Sequence, residues 1–199
     1  IDEEKPIPKL IQKREKGILY SVNSWNGFFY MHTNKNAEDF KILRTDSINF
    51  DTWKTFIAEK NETLIGGLTF LKNWIIRSEV NNALGKIFVR NLKTDEEEEL
   101  IFSDEKVYDG GVSLIQKDKD TDLIHISYST PKTQSRVYLY NLKTKEKKLV
   151  KEQTIPSGHN PDDYIVERLD CESHDGRKVP LTITRHKKTK IDGNACLLL

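Results

Sequence analysis

The tetrapeptide Asn91-Leu92-Lys93-Thr94 returns as Asn141-Leu142-Lys143-Thr144, fifty positions later. Each copy closes a β-rich run: Lys86-Ile87-Phe88-Val89-Arg90 before the first, Arg136-Val137-Tyr138-Leu139-Tyr140 before the second. A period of that length built from short strands is the signature of a propeller blade or a related β-array. One such unit cannot bury its apolar face alone and must stack on a neighbour.

Three units of similar rhythm can be laid out. The first has β-rich runs at 17–22, 28–33, 40–44 and 53–57, the second at 64–71, 74–80, 86–91 and 99–102, the third at 112–116, 123–129, 136–142 and 148–151. Aromatic and β-branched residues fill the runs, and Asn- and Gly-containing turns part them, as a pleated, half-buried surface requires. In the third run of the second unit Ile87 and Val89 share one face, with Phe88 and Arg90 on the other. In the next unit Val137, Leu139 and Asn141 oppose Tyr138 and Tyr140. The fourth run is short and polar, which suits an outer edge guarded by Lys and Glu. The charge run 96–99 reads as a solvated hairpin flank.

The pattern changes after Pro156. Ser157-Gly158-His159-Asn160-Pro161-Asp162-Asp163 reads as a linker. A long hairpin follows, with arms at 164–171 and 179–184 and its bend at His174-Asp175-Gly176-Arg177. Residues 185–190 are expected to form an exposed basic loop, and Asp192-Gly193-Asn194 to turn into a terminal apolar strand at Cys196-Leu197-Leu198-Leu199. The start at Ile1 without Met and the end inside an apolar run lead to the expectation of a piece of a larger protein, with a domain boundary near residue 156.

Composition narrows the function classes. The 32 Lys and Arg balance 31 Asp and Glu, so the net charge of +1 gives no pull toward nucleic acid or anionic membrane. No stretch approaches the roughly 20 apolar residues of a membrane helix. Cys171 and Cys196 are too few for a disulfide scaffold or zinc ribbon and are expected to be buried, reduced thiols. Asn61-Glu62-Thr63 matches a glycosylation sequon but has no secretory signal beside it.

Catalytic and binding motifs are sparse. No Gly-x-Ser-x-Gly elbow occurs, and neither cysteine has a Cys-x-x-Cys partner. Of the five histidines, His32 and His125 fall in strands, His159 and His174 in turns, and none, His186 included, pairs at the spacing of a zinc helix. Asp118-Lys119-Asp120-Thr121-Asp122 has calcium-loop spacing, but Leu123 and Ser129 stand where Gly and Glu are needed, so it reads as a polar turn. Gly66-Gly67 and Gly110-Gly111 lack the downstream helix of a phosphate loop and are expected to permit close backbone packing. Trp25, Trp53 and Trp74 lack the basic groove of a nucleic-acid stacking platform and are assigned to packing between blades. By this reading the chain has no catalytic, cofactor-binding or metal-binding residue.

The stretch from Asn160 onward carries a resemblance. Tyr164-Ile165-Val166-Glu167-Arg168, then Asp175-Gly176 with Val179-Pro180 just after, then Leu197-Leu198-Leu199, resembles the propeller-to-hydrolase junction of the prolyl oligopeptidase family of serine peptidases, most of all its oligopeptidase B (protease II) branch. Upstream, Phe28-Phe29-Tyr30-Met31-His32-Thr33-Asn34 and Ile126-Ser127-Tyr128-Ser129-Thr130-Pro131 resemble elements of its blades. The resemblance implies an all-β fold: about three four-stranded blades of a seven-bladed β-propeller over 1–156, then a linker and the first hairpin of an α/β-hydrolase domain over 157–199. It implies a cytoplasmic enzyme whose propeller admits only short peptides, cut after Arg or Lys. The Ser, Asp and His of the family would lie downstream of the junction, so this chain alone is expected to hydrolyse nothing. Its expected partners are oligopeptides with basic residues, through the parent enzyme, and the missing catalytic domain, with no nucleic acid or membrane and no cofactor. An incomplete ring exposes apolar faces, so self-association is expected. The alternative is a non-catalytic, propeller-like interaction module.

Overall fold

The structure is a computed structural model that describes residues 7–47, 49–101, 103–115 and 119–198. Three four-stranded antiparallel sheets follow one another along the chain, each an up-and-down meander. The first is β1 (Tyr20–Trp25), β2 (Phe28–Thr33), β3 (Lys41–Thr45) and β4 (Lys54–Ile57), in that order. The second is β5 (Thr63–Leu71), β6 (Trp74–Asn81), β7 (Leu84–Asn91) and β8 (Glu97–Glu99). The third is β9 (Asp109–Leu114), β10 (Leu123–Ser129), β11 (Arg136–Asn141) and β12 (Lys147–Glu152). A two-stranded sheet of β13 (Tyr164–Glu172) and β14 (Lys178–His186) comes last, after a 3-10 turn at Pro161–Asp163 capped by Asn160. The all-β meander expected from the sequence is thus the observed architecture.

The chain divides into two compact units, residues 1–67 and 68–199. In the first, Tyr30, Met31, Ile42, Ile57 and Ile65 are buried, with the β-branched Thr33 and Thr45 beside them in sequence register. In the second, one apolar cluster joins the second and third sheets: Trp74, Ile76, Ile87, Val89 and Leu100 meet Ile124, Ile126, Tyr140 and Leu142. Period-2 alternation explains who faces it. Ile87 and Val89 point inward from β7, and from β11 it is the tyrosine face, Tyr138 and Tyr140, that packs against the cluster.

The repeated tetrapeptide builds the same turn twice. Asn91 Oδ1 accepts from Lys93 N at 2.9 Å, and Asn141 Oδ1 from Lys143 N at 2.9 Å. The fifth residue takes a left-handed conformation in both, Asp95 at φ +61° and Lys145 at φ +64°. Thr94 and Thr144 each donate Oγ1 to the Glu two residues on, Glu96 and Glu146. Leu92 N donates to Asn73 O and Leu142 N to Asp122 O, both at 2.8 Å, which staples each turn to the neighbouring hairpin of its own sheet. The repeat is therefore a local folding device: an Asn side chain that mimics a backbone turn and a threonine that holds the returning strand.

Several expectations need correction. β1 begins at Tyr20 rather than near 17, because Asn34 captures the preceding segment: its Oδ1 accepts from Leu19 N at 2.7 Å and its Nδ2 donates to Gly17 O at 3.0 Å. Residues 191–198 form no strand; Leu197 and Leu198 are exposed, and Leu199 lies outside the described residues. A strand needs a ladder, and the β13–β14 hairpin offers none of its pairing edges to that segment. Arg185 and His186 belong to β14 instead of an exposed loop, and Arg185 Nε donates to Glu167 Oε2 at 3.1 Å across the hairpin. Cys171 and Cys196 are free but exposed, not buried: Cys171 lies at the far end of β13, whose last four residues are all exposed, and Cys196 lies in no strand. Gly67 is not a site of close packing, since a Cβ there would meet open space, whereas at Gly111 it would come within 2.8 Å of Ser127 Oγ. Phe102, Gln116 and Asp118, which the sequence placed at strand ends and in the polar turn, lie outside the described residues.

Candidate functional site

Two features of the second unit concentrate polar chemistry. The first is a buried ion network on β6, β7 and β8. Alternation along β6 puts Arg77 and Glu79 on the face opposite Ile76, and both are almost wholly buried, 2% and 3% exposed. Arg77 Nε donates to Glu79 Oε1 at 2.9 Å, while Nη1 and Nη2 reach the two oxygens of Glu97 at 2.7 and 2.9 Å. This bidentate fork is the geometry that guanidinium and carboxylate favour. Arg90 Nε also donates to Glu97, at 3.1 Å, and the Arg77 guanidinium lies 4.8 Å above the Phe88 ring. Burial would raise the Glu97 pKa, but the hydrogen bonds and charges of Arg77 and then Arg90 outweigh it and hold it below its ordinary value. Burial likewise opposes the Arg77 charge, and the two glutamates overcome it, raising the Arg77 pKa.

The network explains a strand that repulsion should disfavour. β8 is three consecutive glutamates, and each has its own cation: Glu97 has Arg77 and Arg90, Glu98 has Lys145, and Glu99 has Lys86 at 3.1 Å. The charge run is therefore an exposed edge strand, as a solvated flank should be, with each glutamate held by a cation. Sequence reading missed Arg77 as its organiser; the signal was the Arg-x-Glu pair directly after the apolar run Trp74-Ile75-Ile76 of β6.

The second feature is a groove of about 710 Å³ between the second and third sheets at the end carrying the repeated turns. Trp74, Asn91, Glu97, Asp122, Leu142 and Lys145 are among its lining residues. Trp74 Nε1 donates to Asp122 Oδ1 at 2.7 Å and Lys72 Nζ to Asp120 Oδ2 at 2.9 Å, so Asp120 and Asp122 of the calcium-like spacing are committed to stitching the two sheets together. Among the described residues no group of three or more His, Cys, Asp and Glu could hold a metal.

The histidines are scattered. His32 stacks on Phe40 at 4.5 Å with Nε2 at 2.7 Å from Ile65 O, and His125 lies within β10. His159 and His186 flank the Tyr164 ring, at 5.2 and 5.4 Å. Ser173, His174 and Asp175 adjoin in the β13–β14 turn, with Ser173 Oγ 3.3 Å from His174 Nδ1. His174 and Asp175 are exposed, and Asp175 Oδ1 accepts from Arg177 N at 3.2 Å rather than orienting the imidazole, so this is not a relay. Of the tryptophans assigned to packing between blades, Trp74 does so, whereas Trp53 stacks on Phe50 within the first sheet's own unit at 6.3 Å. Among the described residues no helix is long and apolar enough to cross a membrane.

Consecutive four-stranded meanders, the second and third stacked through an apolar cluster and carrying the same turn between their third and fourth strands, are blades of a β-propeller. Residues 1–153 match the family described as prolyl oligopeptidase, N-terminal beta-propeller domain, and the chain belongs to that family. Among curated relatives it is 28% identical to dipeptidyl aminopeptidase BI of Pseudoxanthomonas mexicana over 95% of this chain and 26% of that protein. It is 25% identical to protease 2 of Moraxella lacunata over 100% of this chain and 29% of that protein. Among solved structures, oligopeptidase B from Trypanosoma brucei with covalently bound antipain superposes with a TM-score of 0.82 at 23% identity, covering 91% of this chain and 27% of that one. Oligopeptidase B from Leishmania major gives 0.79 at 17%, covering 92% and 27%. These two show the shared fold. The chain spans about a quarter of the length of the relatives it matches.

Proposed function

We propose that this chain is the substrate-gating propeller portion of a serine oligopeptidase that cleaves short peptides after Arg or Lys. Residues 1–156 supply blades, residues 157–199 open the hydrolase domain, and the catalytic triad is carried elsewhere in a longer cytoplasmic protein. The observation that carries the reading is the family match over 1–153 followed by a separate hairpin, β13–β14, bearing the Tyr164…Glu167-Arg168 and Asp175-Gly176…Val179-Pro180 features. The propeller's part in catalysis is exclusion: a closed ring admits an extended peptide and rejects a folded protein. Exposed Leu169 and Val179 on the hairpin, each 49% accessible, support a surface that the remaining hydrolase domain covers and that drives self-association when it is absent.

The test is to express the chain and, in parallel, the same gene read through its downstream coding sequence. Both are treated with a fluorophosphonate probe and assayed on peptides with Arg, Lys or Pro before the scissile bond. We expect no labelling of the chain, labelling of one serine in the extended protein, and cleavage after Arg and Lys. Stoichiometric labelling of the chain itself would overturn the assignment of the triad, and preference for Pro would overturn the basic specificity. A stop codon directly after Leu199 would favour the interaction-module alternative.

A further inference from the structure

Among the described residues, two hydrogen bonds fasten the segment after the third sheet to the second unit's blades, each running from a side chain to a backbone carbonyl in a turn. His159 Nε2 lies 2.6 Å from Lys132 O, in the turn between β10 and β11. Arg168 on β13 donates from Nη2 to Asn82 O, in the turn between β6 and β7. Both turns join the second and third strands of their sheets, so the hairpin is pinned to equivalent corners of consecutive blades.

Both partners of the second contact are oriented in advance. Asn82 and Ala83 are left-handed, φ +49° and +56°, as a two-residue type I′ turn demands, which leaves the Asn82 carbonyl outside the β6–β7 ladder. Arg168 pairs in register with Thr182, and its Nη1 donates to Thr182 Oγ1 at 3.2 Å, which aims the guanidinium. Lys187 N donates to Asp163 O at 2.8 Å, and Tyr164 is held between His159 and His186, so linker and hairpin form one body. Apolar burial does not fix that body in place: β13 and β14 contain no buried residue, and neither contributes to the apolar cluster of the blades.

We propose that Arg168 and His159 form a two-point clasp that sets the resting position of the hairpin on the blades and can be released without unpacking a core. Its meaning as the joint at which a peptidase opens rests on the proposed function; the clasp itself does not. Because both acceptors are main-chain carbonyls, release and re-engagement need no rearrangement of the blades. Arg168 is in this sense a positioning residue, whose guanidinium donates in a fixed fork.

The test reads the position of the hairpin in the full chain. Nitroxides are attached to native Cys171 and to Ser78→Cys in a Cys196→Ser background, and the distance distribution is measured by double electron–electron resonance. The parent is expected to give one narrow distribution. Arg168→Gln is expected to add a longer component, its population rising about tenfold, the effect of losing one charge-assisted hydrogen bond. Arg168→Lys, which keeps a cationic donor, restores most of the narrow component. Asn82→Gly, which keeps the carbonyl and the left-handed turn, leaves the distribution unchanged. His159→Ala is measured alongside as the second point, with the same added component expected, and thermal melts identify any variant that loses its fold. Parent-like distributions in both Arg168→Gln and His159→Ala, or equal broadening in Asn82→Gly, would overturn the clasp. Failure of the peptidase reading would appear only as absent labelling of the extended protein and would leave these distances untouched.

Discussion

Replacing Arg77 by Met tests whether the second sheet depends on its buried ion network. The substitution keeps the length of the apolar stem over Phe88 but removes three hydrogen bonds, one to Glu79 and two to Glu97. Glu97 keeps Arg90 as a cation at 3.1 Å. Glu79 is only 3% exposed and loses the guanidinium that neutralised it. Breaking a buried ion pair by removing one partner costs roughly 3–5 kcal/mol, a large share of the 5–15 kcal/mol that typically separates folded from unfolded protein. Removing both charges is far cheaper, because well-packed apolar replacements of a buried pair are close to neutral. Arg77→Met with Glu79→Met should therefore cost less than Arg77→Met alone, a coupling of about 2 kcal/mol or more. Urea unfolding followed by the emission of Trp74, buried in the neighbouring cluster, supplies the readout. With a urea slope near 2 kcal/mol per molar, Arg77→Met should lower the midpoint by on the order of 2 M. A single variant within about 0.3 M of the parent, or a double variant as unstable as the sum of the two singles, would refute the reasoning.

Glu97 adds a pH signature. Its folded pKa lies below the ordinary 4.5, so its contribution is fully present above that value and is lost as pH falls through the lower folded value. Glu97→Gln should flatten the acid limb of the stability–pH curve below about pH 4.5, measured by urea midpoints at successive pH values. Ala83→Gly should raise the melting temperature, since Ala83 sits at φ +56° where a Cβ costs about 1 kcal/mol and glycine costs little. Asn141→Ala should destabilise by about 1 kcal/mol, because Lys143 N and Thr144 N lose their shared acceptor; chemical denaturation measures it. Light scattering on the isolated chain should show self-association, and a clean monomer with a cooperative melt would count against the exposed-face argument.

Strand existence was legible wherever alternation and turns agreed. β2 and β10 fall where their aromatic and β-branched runs placed them, residues 28–33 and 123–129, since each is bounded by residues that end a ladder by themselves. Boundaries slipped where a distant side chain intervened. The run from Gly17 has the composition of a strand, but Asn34, which reaches back to Leu19 and Gly17, claims its first backbone groups. The flank read at 96–99 is exposed as expected, but the cations that hold β8 went unforeseen for a related reason. Three glutamates look solvated when only their neighbours in sequence are considered, and the cations that hold them come from β6, β7 and the β11–β12 turn. Charge patterning reports sign along the chain but not the partner across the sheet.

The same asymmetry separates how the blades cohere from how the hairpin attaches. Blades are joined by apolar side chains spaced two apart, a signal written in residue types, so their stacking is legible in the amino-acid order alone. The hairpin is attached by side chains that bond main-chain carbonyls, and every residue carries a carbonyl, so nothing in the composition of the β6–β7 turn marks Asn82 as an acceptor. What marks it is geometry: two successive left-handed residues turn that carbonyl out of the ladder and toward Arg168. A contact of this kind depends on turn conformation more than on side-chain identity at the acceptor. Substitutions at Asn82 that preserve a left-handed turn should therefore leave the attachment intact, while losses at Arg168 should not. That contrast makes the attachment separable from the stability of the blades it rests on.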